Sequence, residues 1–255
     1  MLYDKMSDVK LFTFEKKQKI WLLMLGTILV LLSIILYFNP HLEHSVLLYF
    51  STLIKNPAYT FLWYLYTRYA LYFVGIPLLF LYFISYKVYV LKPYRLVILL
   101  VIMTSAIGNP IVYPLLKDLI NRPRPWVTYT DIPSYYHPSG LSFPSEHSFQ
   151  IFILTLPFIS CFLTNDGYFK RNKKKILVAV LLIILATTLA FSRLITGVHY
   201  LSDILSGIGL AFIFFVLIAS LLQWMIKKGL MNSKNEKYYG ILFVIMLVVY
   251  MIFIH

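Results

Sequence analysis

The polar pair best suited to chemistry is a histidine and an aspartate that directly precede an apolar segment in the last third of the chain. His199 and Asp203 stand four positions apart, before the uncharged run Ile204–Met225. At the start of a helix this spacing places both side chains on one face. A carboxylate beside an imidazole fixes its tautomer and raises the basicity of its free nitrogen. The pair therefore predicts a nucleophilic or general-base histidine.

A second cluster, Pro144-Ser145-Glu146-His147, lies directly before another apolar run, Phe149–Thr164. Ser145 occupies a predicted helix N-cap, where unpaired backbone N–H groups and the helix dipole favour a bound phosphate. His147 follows within the first turn of the same predicted helix. This cluster adds a second histidine and an anion-binding position to the first pair.

Cations supply the third part of the pattern. Lys117 and Arg124 are separated by six residues, and Arg193 precedes His199 by six positions. Fixed positive charge of this kind stabilises a phosphoryl group during its transfer. The three clusters together predict a site that acts on a phosphate group.

Two alternative roles fit the same residues. The two histidines and two carboxylates of these clusters are acceptable metal ligands. Three cations beside them repel a divalent ion, however, and the spacings typical of metal sites are missing. The residues also fit interfacial anchors, with Lys and Arg reaching towards water and His199–Asp203 a simple helix pair, although three such clusters on one side argue against this. We therefore expect no metal and no other cofactor.

The composition places these clusters in a membrane protein. Hydrophobic residues make up 60% of the 255 residues and charged residues 13%, against about 45–50% and about 25% in a typical soluble protein. We predict an all-α, polytopic membrane protein that forms a single domain over residues 1–255. A net charge of +13 is also found in nucleic-acid-binding proteins, but Lys and Arg collect in the cytoplasmic loops of membrane proteins. We therefore expect no nucleic acid partner, and the lone Cys161 excludes an intrachain disulfide.

Seven uncharged segments are candidates for membrane-spanning helices, which need about 20 mostly apolar residues. The first is interpreted as a retained anchor, because the apolar region of a secretory signal is usually only about 7–15 residues and no small-residue cleavage site follows. We expect Asn109-Pro110 to kink the third. The segments are Ile20–Phe38, Tyr69–Tyr86, Leu96–Leu116, Phe149–Thr164, Ile176–Phe191, Ile204–Met225 and Tyr239–Ile254.

The basic residues orient these spans. Of the 23 Lys and Arg residues, 17 fall in the segments 1–19, 87–95, 165–175 and 226–238. Seven spans place all four segments on one face, with the N-terminus cytoplasmic. The other cations then lie on the outer side, where the positive-inside rule does not explain them and an anionic ligand does. They are Lys55, Arg68, Lys117, Arg122, Arg124 and Arg193.

Two outer segments are rich in aromatic residues. Segment 39–68 contains charged and polar residues as well as aromatic ones, and we predict one or two helices lying in the membrane interface there. The loop between the first two clusters is crowded by Tyr129, Tyr135, Tyr136 and His137. This loop fits either an aromatic interfacial belt or a lid that selects the headgroup.

The three clusters resemble the tripartite signature of the type 2 phosphatidic-acid phosphatase superfamily, which reads K-x6-R-P, P-S-x-H and S-R-x5-H-x3-D. The match covers residues 117–203, with all three motifs in order and correctly spaced. Three ordered motifs are far more specific than any one of them. The resemblance implies a six-helix transmembrane core of the family's membrane branch, with Tyr239–Ile254 as a seventh, C-terminal span.

The resemblance also implies a role for each matched residue. His199 would attack phosphorus to form a phosphohistidine and would be oriented by Asp203. His147 would protonate the leaving oxygen and then activate water for the second step. The phosphate oxygens would be held, without a metal, by four side chains, those of Lys117, Arg124, Ser145 and Arg193.

The implied activity is that of a lipid phosphatase that removes a phosphate monoester or pyrophosphate at the outer face of the inner (cytoplasmic) membrane. Its partners would be a lipid phosphate and membrane lipids, with undecaprenyl pyrophosphate, phosphatidylglycerophosphate or phosphatidic acid as substrate. A lipid A phosphatase with the same mechanism is an alternative. An anion transporter or channel is an alternative of another class, although that class places charges at mid-span rather than at span ends.

One position departs from the family's pattern. The third residue of the P-S-x-H motif is usually Gly, and here it is Glu146, whose carboxylate opposes an anionic substrate. We expect this carboxylate either to pair with Arg122 or to contact an amine or sugar of the substrate. A similar sequence at 138–140, Pro-Ser-Gly, is followed by Leu141 instead of His and is not the expected motif.

Overall fold

The structure, a computed structural model, describes residues 11–53, 56–165 and 169–254, and these residues form helices and connecting turns without strands. Residues 1–10 of the first basic segment and Lys55 lie outside them. A 3-10 helix (Tyr89–Tyr94) precedes α4, and a π-helical turn (Ile111–Leu115) links α4 to α5. In chain order the α-helices are α1 (Lys16–Tyr37), α2 (Pro40–Thr52), α3 (Pro57–Ile84), α4 (Arg95–Pro110), α5 (Leu116–Ile120), α6 (Pro125–Thr128), α7 (Glu146–Leu163), α8 (Lys173–Ile195), α9 (Leu201–Lys227) and α10 (Glu236–Ile254).

Seven helical stretches within the described ranges are long and apolar enough to cross a membrane. They coincide in order with the seven segments expected from the sequence, including the C-terminal one, which is now Glu236–Phe253. The prediction of an all-α, polytopic membrane protein is therefore confirmed.

The residues of segment 39–68 are divided between two helices, α2 and α3. Helix α2 is a separate short helix, but the residues from position 57 onward belong to α3, which runs without interruption to Ile84. In the sequence the uncharged run begins at Tyr69, because the charged residue Arg68 precedes it. Arg68 is accommodated on the helix because its guanidinium donates to the Tyr64 hydroxyl and lies 5.6 Å from the ring centres of Tyr64 and Tyr69.

The irregularity expected at Asn109-Pro110 is present as a change of helix type. Pro110 and Pro114 have no N–H to donate, so regular α-helical hydrogen bonding is not sustained through this region. The chain passes through the π-helical turn Ile111–Leu115 and then resumes as α5. Such turns inside longer helices are frequent at functional sites, and this one leads directly to Lys117.

Helix α9 is the centre of the bundle, because α1, α7 and α4 all pack along it. Its contact with α1 depends on two glycines. A Cβ added at Gly26 would lie 2.8 Å from the Gly209 oxygen, and one added at Gly209 would lie 2.6 Å from the Gly26 oxygen. The close approach of these backbones fixes α9, whose first turn carries Asp203, the last residue of the third motif.

The seventh helix is attached to the bundle at its N-terminal end. Glu236 of α10 accepts a 2.7 Å hydrogen bond from Arg95 at the start of α4, and its carboxylate is almost fully buried. Gly240 lies against Tyr82, whose hydroxyl would be 1.9 Å from an added Cβ. Together these contacts hold α10 against α3 and α4, where the three helices border a cavity described below.

Candidate active site

The histidine and aspartate of the third motif form a buried pair at the start of α9. His199 Nδ1 lies 3.1 Å from Asp203 Oδ2, and the backbone N–H of Tyr200 donates to the same oxygen at 2.9 Å. The two side chains are 1% and 0% exposed. Because an N–H at Nδ1 donates to the carboxylate, Nε2 keeps its lone pair. The structure therefore brings these two residues together in the way that their spacing predicted.

The free nitrogen of His199 faces a guanidinium group. Arg124 Nη1 lies 3.1 Å from His199 Nε2, close to where a group bonded to that nitrogen would stand. Three backbone carbonyls orient the guanidinium, those of Ser139, Gly140 and Val198, at 3.0 to 3.2 Å. The Pro-Ser-Gly segment that was set aside in the sequence thus contributes carbonyls that hold Arg124, a role that no motif signals.

The environment keeps His199 unprotonated. Burial lowers the pKa of His199 well below its ordinary value of 6.5, because desolvation disfavours the imidazolium. The positive charges of Arg124, Arg193 and Lys117 act in the same direction. A neutral imidazole with a free lone pair is the form of histidine that can act as a nucleophile.

Arg193 is held from the side of α3. Its guanidinium, 2% exposed, donates through Nη1 to Thr67 Oγ1 at 3.0 Å and to the Tyr136 hydroxyl. Arg193 Nε is buried and has no hydrogen-bond partner among the described residues. Ser192, the first residue of the motif, also binds Thr67, at 2.9 Å. Of the aromatic residues in the loop before the second motif, Tyr136 therefore contacts a predicted phosphate-binding side chain directly.

Lys117, the first residue of the first motif, is buried. Its ammonium donates to the Leu141 carbonyl at 2.9 Å and lies 4.6 Å from the ring centre of Tyr113. Lys117, Arg124 and Arg193 all interact electrostatically with His199. The three cations expected from the sequence thus surround one imidazole.

Ser145 is the N-cap of α7, as its position before the apolar run predicted. Its Oγ accepts from Ser148 Oγ at 2.9 Å and from the Ser148 N–H at 3.4 Å. The backbone N–H of Ser145 donates to the Asp203 carbonyl at 2.9 Å. A Cβ added at Gly207 would lie 2.4 Å from the Ser145 oxygen, so the starts of α7 and α9 are in direct contact. The second and third motifs are therefore joined through their backbones.

The expected pairing of Arg122 with Glu146 is wrong. Arg122 instead binds Asp203, with Nη1 2.9 Å from Oδ1, and its Nη2 donates to Glu43 on α2. The reason is geometric: the guanidinium is stacked on Tyr200, 3.6 Å from the ring centre, which directs it to the N-terminal end of α9. Glu146 accepts from Gln150 Nε2 at 2.8 Å, one turn along its own helix.

Sequence reasoning missed Glu43 as part of this cluster. Its carboxylate is 1% exposed, accepts from the backbone N–H of Ser202 at 2.9 Å and pairs with Arg122. One signal was available, because Glu43 is the only acidic residue in segment 39–68. A buried carboxylate requires charged partners, and only the folded arrangement identifies them.

Glu146 and His147 begin α7 at the mouth of a cavity of about 200 Å³. Glu146 is 7% exposed and His147 is half-buried. His147 is close enough to His199 for its charge to lower the pKa of His199. Over the described part of the chain, no three His, Cys, Asp or Glu side chains are grouped so as to hold a metal ion.

Comparisons with known proteins identify the family of the chain. The family model of the PAP2 superfamily matches residues 94–227, which is more than half of the chain. Phosphatidylglycerophosphatase B of Bacillus subtilis (strain 168) is 33% identical over 123 residues, covering 48% of this chain and 55% of that protein. The alignment thus spans about half the length of this curated relative.

A solved structure gives the same fold. The crystal structure of the first transmembrane PAP2 type phosphatidylglycerolphosphate phosphatase from Bacillus subtilis superposes with a TM-score of 0.56 at 22% sequence identity. The superposition covers 81% of this chain and 96% of that one. The resemblance inferred from the three motifs is confirmed, and the chain belongs to the PAP2 superfamily.

Proposed function

We propose that this protein is a membrane lipid phosphatase that works through a phosphohistidine on His199. One observation carries the proposal: the buried imidazole donates from Nδ1 to Asp203 and presents Nε2 to Arg124 at 3.1 Å. Lys117 and Arg193 add positive charge at the same place. Fixed cations around a neutral nucleophile are suited to a dianionic phosphoryl group, whose transfer depends mainly on positioning and charge stabilisation.

The reaction has two steps. In the first, His199 Nε2 forms a bond to phosphorus while the bond from phosphorus to the lipid oxygen breaks, and His147 gives its proton to that oxygen. In the second, His147 takes a proton from water as the water oxygen attacks phosphorus, and the nitrogen–phosphorus bond breaks to release inorganic phosphate. Arg124, Arg193 and Lys117 bind the phosphate oxygens throughout, with Ser145 at the N-terminus of α7.

The substrate class follows from the relatives and the cavity. The relatives are named for phosphatidylglycerophosphate, and an apolar-walled cavity between membrane spans adjoins His147. We therefore place phosphatidylglycerophosphate or phosphatidic acid first as substrate, followed by undecaprenyl pyrophosphate. A phosphate monoester or diphosphate on a lipid fits the cations, which supply the charge stabilisation that a metal supplies in other phosphatases.

The orientation completes the proposal. The four basic segments face the cytoplasm, so the N-terminus is cytoplasmic and the site lies at the outer face of the inner membrane. The whole chain, 1–255, acts as one catalytic domain. The motif residues Lys117, Ser145 and His199 stand at those helix ends that the charge bias assigns to the outer side.

Phosphate release by the purified protein in detergent tests the proposal. With dioleoyl phosphatidic acid or phosphatidylglycerophosphate and EDTA present, we expect steady release by the wild type. His199→Ala should abolish release while the protein remains folded, because removal of a covalent nucleophile costs several orders of magnitude in rate. Release that requires an added divalent metal, or that persists in His199→Ala, contradicts the proposed mechanism.

A further inference from the structure

The cavity that begins at Glu146 and His147 lies between four membrane spans, α3, α4, α7 and α10. Most of its wall is hydrocarbon, contributed by residues such as Leu79 and Leu154. The wall also carries polar side chains, among them the amides of Asn109, near the end of α4, and Gln150, on α7. The cavity therefore adjoins the candidate active site at His147, and Asn109 is one of the few polar groups in its largely apolar wall.

Asn109 is the unusual residue of this wall. It is 5% exposed, and its Oδ1 is buried with no hydrogen-bond partner among the described residues. A buried amide oxygen without a donor is costly, most of all in a membrane interior where water is scarce. Its position one residue before Pro110 is a second irregularity, because the helix changes to the π form directly afterwards. Polar groups retained in such a place require an explanation.

We propose that Asn109 accepts a hydrogen bond from a hydroxyl group of the lipid substrate, close to the phosphate. The unpaired atom is an acceptor, so the ligand must supply a donor. His147 lines the same cavity, so a phosphate held at the histidines places the next atoms of the lipid against α4. The site then selects a lipid phosphate with a free glycerol hydroxyl beside the phosphate, as in phosphatidylglycerophosphate, over a polyprenyl phosphate or a diacyl phosphatidic acid, neither of which has one.

This inference rests on the proposed lipid phosphatase activity and deepens it. A glycerol carrying a free secondary hydroxyl provides the donor on the second carbon from the phosphate ester oxygen. A polyprenyl chain continues as hydrocarbon from the same point and leaves Asn109 Oδ1 unpaired. A site built around a hydrogen bond to a substrate hydroxyl discriminates against the analogue that lacks it.

A matched pair of ligands tests the inference in the unmodified protein. One is 1-oleoyl lysophosphatidic acid, and the other is the same molecule without its secondary hydroxyl, 3-oleoyloxypropyl phosphate. We expect the wild type to hydrolyse the hydroxylated ligand with a kcat/KM about two- to tenfold higher, the range of one net hydrogen bond. Equal values for the two ligands overturn the inference. Hydrolysis of neither ligand contradicts the proposed function instead.

A variant then assigns the preference to Asn109. Asn109→Leu, which is similar in size, should bring the ratio for the two ligands close to one while retaining hydrolysis of 3-oleoyloxypropyl phosphate. Thr104→Val is the control on the same helix, since the Thr104 hydroxyl binds the Leu100 carbonyl at 2.7 Å and does not line the cavity. A preference that survives in Asn109→Leu, or disappears equally in Thr104→Val, overturns the assignment. If Asn109→Leu does not fold, the comparison of the two ligands with the wild-type protein still tests the inference.

Discussion

Arg122 donates from Nη1 to Asp203 Oδ1 at 2.9 Å, on the side of the carboxylate opposite to His199. Asp203 is therefore held by a cation at one oxygen and orients the imidazole with the other. Arg122 itself is fixed by the buried Glu43 of α2. A short helix at the same end of the bundle as the candidate site is thus connected through two ion pairs to the proposed nucleophile.

Arg122→Ala should lower kcat by about 10- to 100-fold with a smaller change in KM. Residues that orient a catalytic group without touching the substrate typically contribute that much to the rate. Glu43→Gln, which leaves Arg122 without its second anion, should give a smaller loss in the same direction. Steady-state kinetics with a lipid phosphate measures both effects. Arg171→Ala, in an exposed loop, is the matched control and should retain wild-type kcat, whereas a kcat within twofold of wild type for Arg122→Ala contradicts the positioning role.

Asp203→Asn should lower kcat by about three to four orders of magnitude, as loss of the tautomer-setting carboxylate does in other histidine-dependent enzymes. The amide can donate to Nδ1, which favours the tautomer that has its proton on Nε2 and so removes the nucleophilic lone pair. Single-turnover rates at fixed pH check this expectation. A loss of less than tenfold, in a variant with an unchanged unfolding temperature, argues against His199 as the nucleophile.

The stability of the protein should fall in mild acid because of His199. Its pKa is lowered by burial in the folded state, so below about pH 6.5 the unfolded chain binds a proton that the folded protein does not. The free energy of unfolding contributed by this group is complete above that pH and decreases as the pH falls. The unfolding temperature in detergent between pH 7.5 and pH 5 measures the effect.

His199→Gln should reduce this acid-side slope, since glutamine does not titrate. The exposed His41 provides the control variant, His41→Gln, which should retain the wild-type slope. The account of His199 is wrong if the wild type and His199→Gln lose stability equally over this pH range.

Gly207→Ala should both destabilise the protein and slow the reaction. The added Cβ would lie 2.4 Å from the Ser145 oxygen, and relief of such an overlap typically costs about 1–3 kcal/mol. The movement separates the start of α7 from the start of α9, so kcat should decrease together with the unfolding temperature. In Gly75→Ala the new Cβ meets only Leu154 Cδ1 at 3.9 Å, and the unfolding temperature should stay close to wild type. Equal unfolding temperatures for the two variants would show that the backbones at Gly207 and Ser145 are not in tight contact.

The parts of this molecule that were predictable from sequence are those encoded locally. The seven spans follow from apolar runs, and the His199–Asp203 pair follows from i,i+4 spacing at a helix start. The start of α3 was misplaced because one charge, Arg68, interrupts the apolar pattern, although neighbouring tyrosines accommodate it. Local pattern cannot distinguish a charge that ends a span from one that the helix tolerates.

The rest of the site depends on contacts between distant parts of the chain. Glu43 and Arg122 are 79 positions apart, and Thr67 and Arg193 are separated by 126. No spacing rule connects such residues, so the partners of the two arginines could be found only in the folded structure. The motif residues were recognisable, whereas the side chains that hold them were not.

The most direct test of the central claim is a search for phosphate covalently bound to His199 during turnover. A lipid phosphate labelled in the reacting phosphorus is mixed with enzyme, quenched in alkali within milliseconds, and the protein is digested and analysed by mass spectrometry. We predict label on His199 in the wild type and none in His199→Gln. In His147→Gln the label should form more slowly and also be lost more slowly, because His147 serves both steps. Phosphate release by the wild type with no label on His199 at any time, including in His147→Gln, would contradict the phosphohistidine mechanism.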